Sequence, residues 1–155
     1  MHRNLIALMA TAFLLIGCAT PVPQYALPTG VPFASIKSSI KGANSHNESI
    51  SVSISDLDAK PPVYGRLFAI NYSKSKPLGY MQVPANVPLD LGYYESASGG
   101  RYCQLSAKVT LEQGKTYSLV GGFAYESGPI PILMGTRKCH FGVVDDATGI
   151  PVTLR

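Results

Sequence analysis

The sequence predicts an all-β domain, an antiparallel β-sandwich of seven to nine strands, and three observations support this prediction. Several short segments alternate apolar and polar residues with a period of two, as expected for strands with one buried face. The gaps between these segments are rich in Gly, Pro, Asp and Ser, which favour turns. Beyond residue 18, no twelve-residue stretch has helical periodicity without Gly or Pro. Short strands at this spacing are typical of sandwiches and small barrels.

Length and composition narrow the class of protein. The chain has 155 residues, of which 46% are hydrophobic and 14% are charged, with a formal net charge of +4. This balance excludes a disordered polyelectrolyte and a coiled coil. The positive charge is too mild to predict nucleic-acid binding by itself, so we expect no nucleic-acid partner.

Residues 1–17 predict a cleaved targeting signal. Arg3 lies close to the amino terminus and precedes thirteen uncharged residues, 5–17. A helix that crosses a bilayer needs about 20 apolar residues, so this run is too short to remain as a span. Its charge, length and small-residue ending are those of a secretory signal, which we exclude from the fold.

The end of the signal carries a more specific pattern. Leu15-Ile16-Gly17-Cys18 resembles the lipobox of bacterial lipoproteins. The resemblance implies that a diacylglycerol alkylates the Cys18 thiol and that cleavage precedes this residue. The alternative is an ordinary secretory signal cut near Ala19. By resemblance to the sorting rule of Gram-negative lipoproteins, Ala19 in place of Asp implies the outer membrane, with the domain facing the periplasm.

The remaining chain divides into two parts. Residues 18–33 contain four prolines between Pro21 and Pro32 without a period, which predicts an extended spacer. Residues 34–155 form the predicted sandwich domain, and this length suffices for a hydrophobic core.

The predicted strands each have a row of apolar residues on one face. The first row is Ile50, Val52 and Ile54, separated by serines. Comparable rows lie at 87–93, 103–111, 117–125, 139–143 and 150–154. Because successive side chains of a strand point to opposite faces, each row predicts one buried and one exposed face.

Two cysteines remain after the predicted cleavage, apart from the lipidated one. Cys103 and Cys139 both fall on inward-facing rows. Export brings them into an oxidising compartment, and two cysteines allow only one intramolecular pairing. We therefore predict a disulfide between them; the alternative is a pair of free buried thiols.

Two short segments resemble parts of known sandwiches. Residues 111–117, Leu-Glu-Gln-Gly-Lys-Thr-Tyr, resemble the corner of immunoglobulin-like sandwiches. The resemblance implies a structural role for Tyr117, whose hydroxyl bonds backward to the chain. Residues 146–152 similarly resemble the last hairpin of transthyretin-like sandwiches.

No set of residues in the sequence indicates catalysis or metal binding. His46 lies in a polar loop, and His140 lies on the strand face opposite to Cys139, so both are interpreted as surface residues. Asp145 and Asp146 are interpreted as turn residues, the alternative being a weak calcium site with other aspartates. We expect no enzyme activity, no metal and no small-molecule cofactor.

A possible recognition loop lies within residues 93–102. Tyr94, Ser98, Arg101 and Tyr102 place aromatic side chains and one cation around a Gly-Gly pair. Tyr and Arg dominate the contact energy of protein interfaces, so this composition favours recognition. The alternative is a hairpin with ordinary cross-strand aromatics.

The same segment carries one further resemblance. Ser98-Gly-Gly-Arg-Tyr102 resembles the Ser-Gly-x-x-Tyr loop of bacterial lipoproteins that inhibit C-type lysozyme. The resemblance implies that Ser98 enters the lysozyme cleft together with a lysine, either Lys108 or Lys115. The family's Trp is absent here. The expected function is therefore a membrane-anchored binding or assembly module with an envelope protein partner, and a lysozyme inhibitor is the alternative.

Overall fold

The computed structural model describes residues 22–40, 48–57, 59–60, 62–71, 79–126 and 136–155. All regular secondary structure in these residues is strand. The strands are β1 (Phe33–Ser38), β2 (Ser49–Asp56), β3 (Val63–Asn71), β4 (Met81–Pro84), β5 (Pro88–Ala97), β6 (Arg101–Thr110), β7 (Thr116–Glu126) and β8 (Thr136–Asp145). The predicted signal (residues 1–17), Cys18 and His46 lie outside the described residues.

The strands form two four-stranded sheets. The first has the order β4-β1-β7-β8, and the second has the order β3-β2-β5-β6. The neighbours pair antiparallel except β1 and β7, which are parallel. The predicted all-β sandwich is confirmed. Here β1 and β2 lie in different sheets, whereas the first two strands of an immunoglobulin constant domain are in the same sheet.

Strand β2 shows how the alternating pattern builds the core. Ile50, Val52 and Ile54 are at most 3% exposed, while the serines between them lie on the outer face. The neighbouring row on β5 is equally buried, including Leu91 and Tyr93 at 1% exposure each. Burial of a large aliphatic or aromatic side chain stabilises the fold by about 1.5–3 kcal/mol, so the inner rows hold the two sheets together.

Three strands are absent from the sequence prediction, and one predicted strand is wrong. Strands β1 and β4 are short, and β3 loses its alternation because a bulge opposite Val52 and Ser53 makes both Leu67 and Phe68 buried. The row at 150–154 does not form a strand. It forms an isolated bridge between Val144 and Pro151, with backbone hydrogen bonds from the Asp145 amide to the Ile150 carbonyl and from the Val152 amide to the Val143 carbonyl.

Part of the expected spacer packs on the domain. The Arg66 amide donates to the Pro23 carbonyl at 2.8 Å, and the Tyr25 amide donates to the Arg66 carbonyl at 2.9 Å. Tyr25 is only 4% exposed. A segment kept extended by proline already has the conformation that pairs with a strand edge, and Pro23 needs to offer only its carbonyl. Residues 23–25 of the predicted extended spacer are therefore docked on β3.

The predicted disulfide is confirmed. Cys103 on β6 and Cys139 on β8 are bonded, with their Cα atoms 5.8 Å apart, so the bond joins the edge strands of the two sheets. The free-thiol alternative is thereby excluded. At the predicted corner, the Tyr117 hydroxyl accepts a hydrogen bond from the Glu112 amide at 3.0 Å, which gives this residue its structural role.

The sandwich has two distinct ends. The β2–β3 turn and the β4–β5 and β6–β7 connections lie at one end, which we call the tether end because residues 23–25 run away from it along β3, parallel to that strand. The β5–β6 turn, residues 98–100, lies at the other end, which we call the hairpin end. Strand β5 has ten residues, so the two ends are roughly 30 Å apart.

Candidate functional site

The candidate recognition loop is the tip of a long regular hairpin. Strands β5 and β6 pair without interruption from Pro88 opposite Thr110 to Ala97 opposite Arg101. The three-residue tip contains Gly99 and Gly100 with φ angles of 81° and 71°. Only glycine adopts this left-handed region without a steric cost, so the Gly-Gly pair permits the tight reversal.

Arg101 closes the tip. Its Nε atom donates to the Ser98 carbonyl at 3.0 Å. A Cβ added to Gly99 would lie 3.8 Å from the Arg101 Nε atom, so the guanidinium folds over the tip. The arginine therefore orders the loop and keeps its charge at the surface, where it is exposed.

Two tyrosines lie on the outer face next to this tip. Tyr94 is 42% exposed and Tyr102 is 68% exposed. Tyr94 pairs with Gln104, and Tyr102 pairs with Ser96, so the two tyrosines are diagonal neighbours on one sheet face. The structure thus brings the four predicted residues, Tyr94, Ser98, Arg101 and Tyr102, together at the hairpin end.

The inner face of the hairpin holds it firmly against the other sheet. The Tyr93 hydroxyl donates to the Glu95 carboxylate at 2.6 Å, and the Tyr93 ring stacks on Phe141 with centroids 5.1 Å apart. Burial, together with this hydrogen bond, raises the pKa of Tyr93 well above its ordinary value, so it is neutral at physiological pH. Glu95 lies opposite Cys103, so the disulfide fixes the same region covalently.

The lysines that the lysozyme-inhibitor resemblance requires are far from Ser98. Lys108 lies near the tether end of β6, where it faces Asp90 at 3.9 Å. Lys115 follows β6 and pairs with Glu112 at 2.9 Å. Lys108 is seven residues along the strand from Arg101, a separation of roughly 24 Å. The structure does not bring Ser98 and either lysine together, and Arg101 is the cation next to Ser98.

Sequence reasoning missed a polar cluster on the outer face of the other sheet. Asp146 accepts a hydrogen bond from the Ser118 hydroxyl at 2.5 Å and forms an ion pair with Lys37 at 3.0 Å. The Tyr80 hydroxyl lies 3.1 Å from the Lys37 Nζ atom and 3.4 Å from the Asp146 carboxylate. No signal in the linear sequence connects these residues, because the topology brings them in from four separate segments.

The contacts and charges of this cluster favour a structural role, and we call the cluster the brace. Hydrogen bonds with the Tyr80 hydroxyl and the Asp146 carboxylate raise the pKa of Lys37, so its side chain stays a protonated ammonium with no lone pair to accept a proton. Burial acts to raise the pKa of Asp146, but hydrogen bonds from Ser118 and Lys37 prevail and lower it. A carboxylate with a lowered pKa is a weak base for activating the Ser118 hydroxyl.

The other aspartates of interest cap turns. Asp145 accepts hydrogen bonds from the Ala147 and Thr148 amides at 2.9 and 3.2 Å. Asp56 accepts one from the Ala59 amide at 3.0 Å. Within the described residues, no group of three or more His, Cys, Asp or Glu side chains could hold a metal ion. These contacts favour the interpretation of Asp145 as a turn residue.

No family model matches the chain. No curated protein and no solved structure matches it either. Among the residues that the structure describes, no helix is both long and apolar enough to cross a membrane.

Proposed function

We propose that this chain is a lipid-anchored protein of the bacterial cell envelope, held through Cys18 at the outer membrane and facing the periplasm. The sandwich is a binding or assembly module for an envelope protein partner and catalyses no reaction. The lipobox pattern at 15–18 supports the anchor, because two or three acyl chains hold a protein on a bilayer essentially permanently.

The observation that carries the binding role is the position of the hairpin end. The chain from Cys18 reaches the domain at Pro23, which binds Arg66, the fourth residue of β3, and so lies nearer to the tether end, whereas Tyr94, Ser98, Arg101 and Tyr102 lie towards the hairpin end. An anchored sandwich therefore presents this surface away from the anchor, where an envelope protein can reach it.

The chemistry of the surface suits protein recognition. Tyr94 and Tyr102 offer large aromatic faces with few rotatable bonds, so binding costs little side-chain entropy. Arg101 adds an exposed cation, and its bond to Ser98 orders the tip before a partner arrives. The partner that fits is a protein surface with apolar pockets for the rings and a carboxylate near the guanidinium.

Site-specific photo-crosslinking in the bacterium tests this role. We expect Tyr102 replaced by p-benzoylphenylalanine to give a reproducible protein adduct on irradiation. The matched control is the same replacement at Tyr64, which is 54% exposed at the tether end. The proposal also predicts that Arg101→Ala weakens the adduct by about 5-fold or more, the loss of a typical interface anchor. Equal adduct patterns from positions 102 and 64, or none from 102, would contradict it.

The anchor has a separate test. Metabolic labelling with a palmitate analogue labels the wild-type chain and leaves the Cys18→Ser variant unlabelled. Mass spectrometry of the mature amino terminus then gives the number of acyl chains on residue 18. Recovery of the wild-type protein with an unmodified thiol at this position overturns the proposed anchor.

A further inference from the structure

The direction in which the chain reaches the domain indicates which end of the sandwich lies nearer to Cys18. Gln24 bridges Arg66 in the parallel sense, so residues 23–25 run in the same direction as β3. Going back along the chain from Pro23 therefore leads towards the start of β3 and the β2–β3 turn. The five residues from Cys18 to Pro23 span at most about 17 Å, which limits the distance between the Cys18 position and the docked segment.

The β2–β3 turn exposes an unusual set of side chains. Leu57 is 68% exposed and Tyr64 is 54% exposed. Lys60 and Pro62, between them, are also exposed. We call these four residues the turn patch. Exposure of a leucine side chain to water is unfavourable. The turn patch therefore has the composition of a surface that a membrane or another molecule covers.

We propose that the turn patch rests in the headgroup region of the lipid bilayer, and this rests on the proposed anchor at Cys18. The short tether keeps the patch close to the bilayer surface, where an aliphatic side chain such as Leu57 inserts. Tyr64 suits the same interface, because its ring is apolar and its hydroxyl stays hydrated. The Lys60 ammonium lies between them and suits the phosphates of the lipid headgroups.

The docked segment keeps the tether short. Gly65 allows it to dock, because a Cβ at this position would lie 2.6 Å from the Tyr25 Cα atom. The Gln24 side-chain amide adds a bond of 3.0 Å to the Leu67 carbonyl. With both contacts formed, the tether end faces the bilayer and the hairpin end points away from it.

The chain contains no tryptophan, so a single introduced Trp reports on its own surroundings. The experiment compares Leu57→Trp with Tyr102→Trp, because both positions are 68% exposed but lie at opposite ends. Each full-length lipidated protein is reconstituted into vesicles of phosphatidylethanolamine and phosphatidylglycerol. Bromine atoms on the upper acyl chains then quench any Trp that lies roughly 5–10 Å below the surface.

We expect the Trp at position 57 to emit at shorter wavelength on vesicles than in detergent-free buffer and to lose about half of its emission to bromolipid. The Trp at position 102 should show neither change. Tyr64→Trp provides a second reporter within the turn patch if Leu57→Trp does not fold. Equal quenching at both ends, or none in the turn patch, overturns the inference.

Acylation is measured by mass spectrometry on the same samples, so that two kinds of failure are separated. An unquenched Leu57→Trp variant that is lipidated at Cys18 overturns the membrane contact and leaves the anchor intact. A chain without acyl groups overturns the proposed anchor and this inference together. If the emission of the indole in Leu57→Trp does not change on vesicles and shifts only when an envelope protein is added, the occupant is a protein, and that result contradicts the inference.

Discussion

The two open sides of the sandwich are closed by different means. On the side of β6 and β8, the Cys103–Cys139 bond joins the edge strands covalently. On the side of β3 and β4, residues 23–25 lie along the edge of β3 through two backbone hydrogen bonds and the burial of Tyr25. We call these the disulfide seam and the segment seam.

The difference between the seams concerns reversibility. The disulfide seam cannot open without reduction, whereas the segment seam opens when two backbone hydrogen bonds, each worth about 0.5–1.5 kcal/mol, and the packing of Tyr25 are lost. Opening it also changes the geometry of the proposed anchor. The free chain from Cys18 then extends to Phe33, which is fifteen residues and about 50 Å, instead of five residues. The seam that opens reversibly, the segment seam, is thus the one that sets the length of the chain between Cys18 and the domain.

Removing the disulfide should have the largest effect on stability. The double variant Cys103→Ala, Cys139→Ala releases a loop of 36 residues, and we expect its free energy of unfolding to fall by about 3–4 kcal/mol on the chain-entropy model. Urea unfolding followed by circular dichroism measures this change. The Arg66 amide, on the segment seam, is the local control. The free energy of the local opening through which this amide exchanges its hydrogen should be the same in the variant and in the wild type.

A change below about 1 kcal/mol would contradict this expectation. It would mean that noncovalent contacts between the two sheets, such as the stacking of Tyr93 on β5 against Phe141 on β8, already hold this side closed.

Opening the segment seam should have a smaller effect. In Gly65→Ala, the new methyl group would lie within 3 Å of three Tyr25 atoms, two of them in the backbone, so the segment cannot stay docked as it is. We expect a loss of about 1–3 kcal/mol, typical of overpacking. Hydrogen exchange should show lost protection at the Tyr25 and Arg66 amides, with the β5–β6 hairpin unchanged.

Gly79→Ala is the matched control for this variant. A Cβ at Gly79 meets no atom within 4 Å, so its stability should stay within about 0.5 kcal/mol of the wild type. Full protection of the Arg66 amide in Gly65→Ala would show that the segment does not need the close approach.

The seams also differ in how far the sequence predicts them. The pairing of Cys103 with Cys139 follows from their inward rows and from the lack of another partner after export, and the structure confirms the bond. The segment at 23–25 has the composition of a free spacer, because prolines dominate it. Docking there depends on Gly65, more than forty residues away, and local composition does not report such a contact.

The same contrast holds for the sheets and the candidate site. Strands with strict alternation, such as β2 and β5, are predictable because one face is buried and the other is not. Strand β3 is not predicted because its bulge buries two successive residues and so removes the period-two pattern. The hairpin residues are local in sequence and therefore visible, whereas the brace at Asp146 depends on strands that only the topology brings together.

The smallest effect is expected from a single hydroxyl in the segment seam. The Tyr25 hydroxyl is buried, and no described residue forms a hydrogen bond with it. Tyr25→Phe should therefore fold as stably as the wild type at neutral pH or gain about 1 kcal/mol, because no buried polar group is left without a partner. Urea unfolding in a Cys18→Ser background, which lacks a free thiol, measures the difference.

Alkaline pH should enlarge this difference. Burial, and to a lesser degree the charge of Asp56, raises the pKa of Tyr25 from its ordinary 10.0 to about 12. A raised pKa in the folded state means that ionisation of Tyr25 favours unfolding. The free energy of unfolding of the wild type is therefore unaffected by this group below pH 10 and falls as the pH rises towards 12, whereas Tyr25→Phe has no such loss. Tyr93 also has a raised pKa, but it is present in both proteins and cancels. Parallel stability curves between pH 9 and 12 would mean that the Tyr25 hydroxyl is hydrated and that the segment seam is open in solution.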